Sequence, residues 1–166
     1  MAPEIHKVFA YGSNMNLADL RRWLESKNYP TNQLLKAIPA RLPGYRLAWN
    51  YWSSSRQGGA ANVETSPNDE VLGAILEIGP AVLDAIDRKE GHPTRYSRLP
   101  HPIECFELEN ESPQLAWVYE VTDEFRCEEE KLPTQDYMRI VLEGAKALDL
   151  PAEYLQRLES ILPAEP

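Results

Sequence analysis

The sequence predicts an α+β fold, a small, mixed, partly closed sheet with helices packed outside it. Three observations carry this reading. Five or six segments show the alternation or the short apolar runs of β-strands, and most are joined by short turns. Helical periodicity comes early, again in the middle and twice at the end, so strand and helix do not alternate regularly. The 166 residues are 43% hydrophobic and 26% charged, which suits a single domain, residues 1–166, with a real core.

Residues 5–11, "IHKVFAY", read as the first strand. Asn16 then caps a helix, with Asp19 at its third position and Leu17, Leu20 and Leu24 on one face. The helix fades at "SKNYP". Residues 37–53 form a strand broken by Pro43-Gly44, with Leu47, Trp49 and Tyr51 alternating. "WNYW" reads as strand with large side chains on both faces. "SSSRQGG" is a polar loop, its glycine pair a flexible turn. Residues 60–66 and 70–78 read as two strands around the turn "SPND". A helix follows over 80–90, with Pro80 in its first turn and Gly91 just past its end. Residues 95–109 and 115–123 read as two further strands separated by "NESPQ". The charged connection "CEEEKLP" leads to a helix over 133–150, capped by Thr134, and to a last helix over 151–162.

The bulk properties exclude several classes. A net charge of −9 without a basic run disfavours nucleic acid and anionic membrane surfaces as partners. No apolar stretch approaches the ~18 residues of a membrane span, and the N-terminus lacks the pattern of a secretory signal. Cys105 and Cys127 read as free thiols, so the expected location is cytoplasmic. His6, His92, His101 and Cys105 share no metal-ligand spacing, and Cys105 has no adjacent base; neither a metal nor another cofactor is called for.

Two features can carry chemistry. Glu90 lies four residues after Ile86, on the apolar stripe of Val82, Leu83 and Ile86, and in the last turn of its helix. Burial and the negative helix end both disfavour a charged carboxylate, which suits a general acid/base. On the pattern alone a solvated residue at a frayed helix end is equally readable. Arg88 and Lys89 read as exposed cations suited to a helix C-terminus. The second feature is "YGSN", where a strand passes through Gly12-Ser13-Asn14 into a capped helix. Such a turn leaves backbone N–H groups free for an anion or an oxyanion, although an ordinary strand-to-helix loop reads the same way.

"FAYGSNM", "GGAANVETSPNDEVLGAILEI", "LDAIDRKEG" and "PTQDYMRIVLEGAKALDLPAEYLQRL", in that order over nearly the whole chain, resemble the γ-glutamylcyclotransferase family. The resemblance implies a barrel-like mixed sheet flanked by helices. It implies conversion of γ-glutamyl amino acids to 5-oxoproline and the free amino acid, without a cofactor. It assigns Glu90 of "DRKEG" as acid/base and gives the loop Tyr11, Gly12, Ser13 and Asn14 the glutamyl end of the substrate. It makes Tyr96, Tyr119 and Tyr137 pocket walls and hydroxyl donors. A homodimer is compatible with it, the C-terminal helices supplying an interface. Three rivals differ in substrate or in chemistry. The same cyclisation can act on γ-glutamyl amines or a pathway-specific γ-glutamyl intermediate; the fold can be a non-catalytic binding module; and a water-using amidase would release glutamate.

Overall fold

A computed structural model describes residues 3–161. Two long strands dominate it, β2 (Leu34–Ser53) and β3 (Gly58–Ile78), paired antiparallel along nearly their whole length. On the far side of β3 lies β1 (His6–Ala10), also antiparallel, with Val8 opposite Leu76 and Ala10 opposite Ala74. Beyond β2 come β5 (Ile103–Glu107) and β6 (Pro113–Ala116), giving the order β1-β3-β2-β5-β6. The last strand curls back to the first. Trp117 N–H donates to the Lys7 carbonyl at 2.8 Å, and Phe9 N–H donates to the Trp117 carbonyl at 2.9 Å. This parallel bridge closes the sheet into the barrel-like form expected and pairs edges that would otherwise be exposed. A separate two-stranded ribbon pairs β4 (Tyr96–Arg98) with β7 (Tyr119–Val121).

Seven strands form where five or six were expected, because two predicted strands change sheets midway. The 95–109 segment divides into β4 and β5 at "LPHP", where two prolines remove ladder donors. The 115–123 segment divides at Trp117-Val118 into β6 and β7. The reverse happens at "SPND". Strand β3 runs through these residues, and Thr65 pairs with Tyr45 while Glu70 pairs with Pro43. Residues 66–69 therefore form a bulge opposite Gly44, whose φ is +83°. The strand break expected at Pro43-Gly44 is this same register shift, and β2 begins earlier than read, at Leu34. Gly58 and Gly59 lie buried at the start of β3, with Gly59 N–H bonded to the Leu132 carbonyl at 3.0 Å, so they are strand and not flexible turn.

The helices start and stop where their capping residues stand. In α1 (Leu17–Ser26), the Asn16 side chain accepts from Asp19 N–H at 3.0 Å. Helix α2 (Pro80–Glu90) ends on Gly91 in the left-handed conformation, φ +72°. Thr134 caps α3 (Gln135–Ala147) by accepting from Tyr137 N–H at 3.1 Å, and α4 (Ala152–Glu159) follows Pro151. No helix among the described residues is long and apolar enough to cross a membrane. Phe9, Leu42, Val63, Ile75, Ile86 and Val141 are buried in one continuous core between the sheet and the helices. Helix α3 crosses the 13–16 turn at Gly144, where a Cβ would stand 2.8 Å from Asn16 N. Asn16 Nδ2 donates to the Ile140 carbonyl at 2.9 Å across the same contact. The core thus fixes the loop after β1 against α3.

Candidate active site

Strand β1 delivers Tyr11–Asn14 to one end of the sheet, and α2 brings Glu90 to the same place. Between them is a cavity of about 780 Å³. All eight site residues read from the sequence line it: Tyr11, Gly12, Ser13, Asn14, Glu90, Tyr96, Tyr119 and Tyr137. Residues 13–15 form a single 3-10 turn. Among the described residues, the Gly12 and Asn14 N–H groups meet no protein acceptor, as is usual for the first turn of a helical element.

The half-buried Glu90 carboxylate is held by Asn14, whose Nδ2 donates to Glu90 Oε1 at 2.6 Å. The other end of that amide accepts from Lys89 Nζ, also at 2.6 Å. The orientation of the amide is thus fixed by one anion and one cation. Lys89 corrects the sequence reading. Its side chain is not a solvated cation but turns inward, 5.9 Å from the Trp23 ring centroid. Burial pushes its pKa below the ordinary lysine value, and the Glu90 charge opposes that shift.

Of the three tyrosines expected as hydroxyl donors to the pocket, Tyr96 and Tyr119 make their hydrogen bonds to protein, as does Tyr11. Tyr11 donates to the Tyr119 carbonyl at 2.7 Å, and Tyr96 donates to the Ala61 carbonyl at 2.7 Å. Tyr119 donates to the Asp87 carboxylate, which also pairs with Arg98 at 2.9 Å. Their rings wall the cavity while their protons are used internally. Tyr137 differs. Its oxygen accepts the Ala61 N–H at 3.2 Å and is stabilised by the Ser13 N–H, and no protein acceptor takes its own proton among the described residues. Burial raises all four hydroxyls above the ordinary tyrosine range, and the charge of Glu90 raises each further, so they stay protonated. Gly12 is tied to this arrangement, since a Cβ there would stand 2.9 Å from the Tyr137 hydroxyl.

Sequence reading passed over several residues. Arg56, placed in a polar loop, lines the cavity with its guanidinium 5.2 Å from the Tyr137 ring centroid. Asn62 is fully buried; its Oδ1 accepts from Val121 N–H at 2.9 Å and its Nδ2 donates to Asn50 Oδ1 at 2.9 Å. That pair anchors β7, and with it Tyr119, to β3. Asp87 stood in plain view in "DRKEG", and its place one turn before Glu90 was the available signal. Cys105 lies on β5 away from the cavity, its pKa pushed by burial up to about 12, which leaves it inert as a nucleophile at neutral pH.

Comparison with known proteins gives a consistent result. The family model described as Gamma-glutamyl cyclotransferase, AIG2-like, matches residues 8–139. The Gamma-glutamylcyclotransferase of Bos taurus is 30% identical over 160 residues, covering 93% of this chain and 78% of its own. The protein of the same name from Homo sapiens is 28% identical over 159 residues, with the same two coverages. A solved structure named Gamma-glutamyl cyclotransferase superposes with a TM-score of 0.80 at 25% identity, covering 98% of this chain and 91% of that one. With the family model spanning well over half the residues, and the fold matched from end to end, the chain belongs to the Gamma-glutamyl cyclotransferase, AIG2-like family.

Proposed function

We propose that this chain catalyses cyclisation of a γ-glutamyl substrate to 5-oxoproline, with Glu90 as the general acid/base. The observation that carries the reading is the Glu90–Asn14 contact beside the Gly12–Asn14 turn, inside a cavity sized for a small molecule. A carboxylate with one oxygen fixed keeps its second oxygen for the substrate. The substrate's α-ammonium gives a proton to Glu90. The freed nitrogen attacks the γ-carbonyl carbon of the same residue, and a tetrahedral intermediate forms. The amide C–N bond then breaks as the departing nitrogen takes that proton back from Glu90, the second proton of the new ring nitrogen passes by way of the same carboxylate to the released amine, and 5-oxoproline and an ammonium form of the leaving group are the products. Atoms balance without water.

Most of the work is positioning, because nucleophile and electrophile already share one residue. Alignment of this kind supplies about 7–11 kcal/mol in favourable intramolecular systems. The free N–H groups of the turn suit the α-carboxylate or the oxyanion, and the Tyr137 hydroxyl, which lines the same cavity, supports this reading as a further donor. The test is product identity. Incubation with γ-glutamyl amino acids, followed by mass spectrometry, is expected to give 5-oxoproline. Release of glutamate in its place would identify a hydrolase and reject the cyclisation.

A further inference from the structure

The chain carries a net charge of −9, yet this cavity is lined by five basic side chains and a single carboxylate, Glu90. One of the five, Arg88, is paired with Asp84 at 3.3 Å. Among the described residues, Lys27, Arg56, Lys89 and Arg95 have no ion-pair partner within 4.0 Å. They come from four different places: the end of α1, the β2–β3 turn, the last turn of α2 and the loop after it. Their convergence on one cavity is produced by the tertiary fold and not by a run of sequence. Arg56 and Lys89 lie close enough to repel one another, and the Arg56 charge adds to the lowering of the Lys89 pKa that burial causes. Arg95 lies across the C-terminus of α2, touching the space where a Cβ of Gly91 would be at 3.1 Å. The turn after β1, with Lys89 beside it, suffices for the glutamyl carboxylate. Arg56, Arg95 and Lys27 are then more than one leaving-group carboxylate needs.

Resting on the cyclisation reading, we infer that the leaving-group side of the cavity is an anion subsite centred on Arg56, with Arg95 and Lys27 at its mouth. The substrates it selects are γ-glutamyl compounds whose leaving amine is an acidic amino acid. A guanidinium fixed over an aromatic ring presents its fork to a carboxylate in two parallel hydrogen bonds. The surplus positive charge also draws a multiply anionic ligand towards an otherwise acidic protein.

The test is kcat/KM for γ-glutamyl-glutamate, γ-glutamyl-alanine and γ-glutamyl-ethylamide at low and high salt. The expected order is as written, with about tenfold separating each step, the size of one charge-assisted hydrogen bond, and the steps shrink in high salt. Arg56→Gln should collapse the glutamate-to-alanine ratio towards one, and Arg56→Lys should restore part of it. Equal values for the three substrates, or a ratio that Arg56→Gln leaves intact, would overturn the subsite while 5-oxoproline formation still upheld the cyclisation. If no substrate yields 5-oxoproline, the cyclisation reading falls. The thermal shift given by γ-glutamyl-glutamate against γ-glutamyl-alanine then judges the subsite alone: a larger shift for the former supports it, and equal shifts overturn it.

Discussion

Asn14 joins two charges that stand side by side on α2, donating to Glu90 and accepting from Lys89. Its replacement by Asp would set a second carboxylate about where the amide now stands, 2.6 Å from Glu90 Oε1. The donor to Glu90 would be lost and a like charge gained, so Asn14→Asp is expected to lower kcat/KM for 5-oxoproline formation by about a hundredfold or more in steady-state assays. Gly12→Ala acts from the opposite wall. Its Cβ would meet the Tyr137 hydroxyl at 2.9 Å, an overpacking cost of about 1–3 kcal/mol in urea unfolding. Adding Tyr137→Phe removes that contact but leaves the Ala61 and Ser13 N–H groups without their acceptor, so neither stability nor activity should return to the parental level. The positions of Glu90 and of the Gly12–Asn14 turn were legible from local rules, a helical stripe and a strand ending in glycine, while their roles came only with the family resemblance. Lys89 was not legible. Its neighbours in the chain mark it as solvated, and only the approach of a loop 75 residues away buries it. Arg56 was hidden for the same reason, since turn residues give no sign of which cavity they overhang.

At the scale of elements, the site depends on how closely α3 can approach the turn after β1. Gly144 permits that approach, and the nearest atoms to an added Cβ are backbone, Asn16 N at 2.8 Å and Asn16 Cα at 2.9 Å. Backbone cannot swing aside as a side chain can. Gly144→Ala is therefore expected to cost about 1–3 kcal/mol in denaturant unfolding and to lower kcat as well, because the displaced turn carries Asn14. A loss of stability with kcat untouched would show that the turn is held by other contacts. The helix starts were legible from the sequence because Asn16, Pro80 and Thr134 act on their own termini, and Gly91 marked the end of α2, whereas α3 and α4 stop at Ala147 and Glu159, short of the ends read. The strands were less so. Nothing local tells "SPND" that its flanks will pair with one continuous partner, or tells Trp117 that its backbone will close the sheet onto Lys7 and Phe9.

Across the whole molecule, acidity is concentrated away from the cavity. Glu120, on β7, shows its cost. Burial raises its pKa above the ordinary 4.5, Glu64 and Asp123 add to the rise, and Arg126 opposes it. The folded state therefore holds this proton to higher pH than the unfolded state does. Stability is fully present below about 4.5 and is lost as pH rises through the raised value. Glu120→Gln should melt at a higher temperature than the parent at pH 7, with the difference narrowing as the pH is lowered towards 4.5. A difference that does not change with pH would assign the effect to packing. The closed sheet, the α2 terminus and the turn after β1 together bring one carboxylate and the Gly12–Asn14 turn to the wall of one cavity. The most direct measurement is the rate of 5-oxoproline formation by the parent and by Glu90→Gln, each shown to be folded by circular dichroism. The account predicts a loss of at least about a hundredfold in the variant. A folded Glu90→Gln protein that forms 5-oxoproline at the parental rate would contradict it.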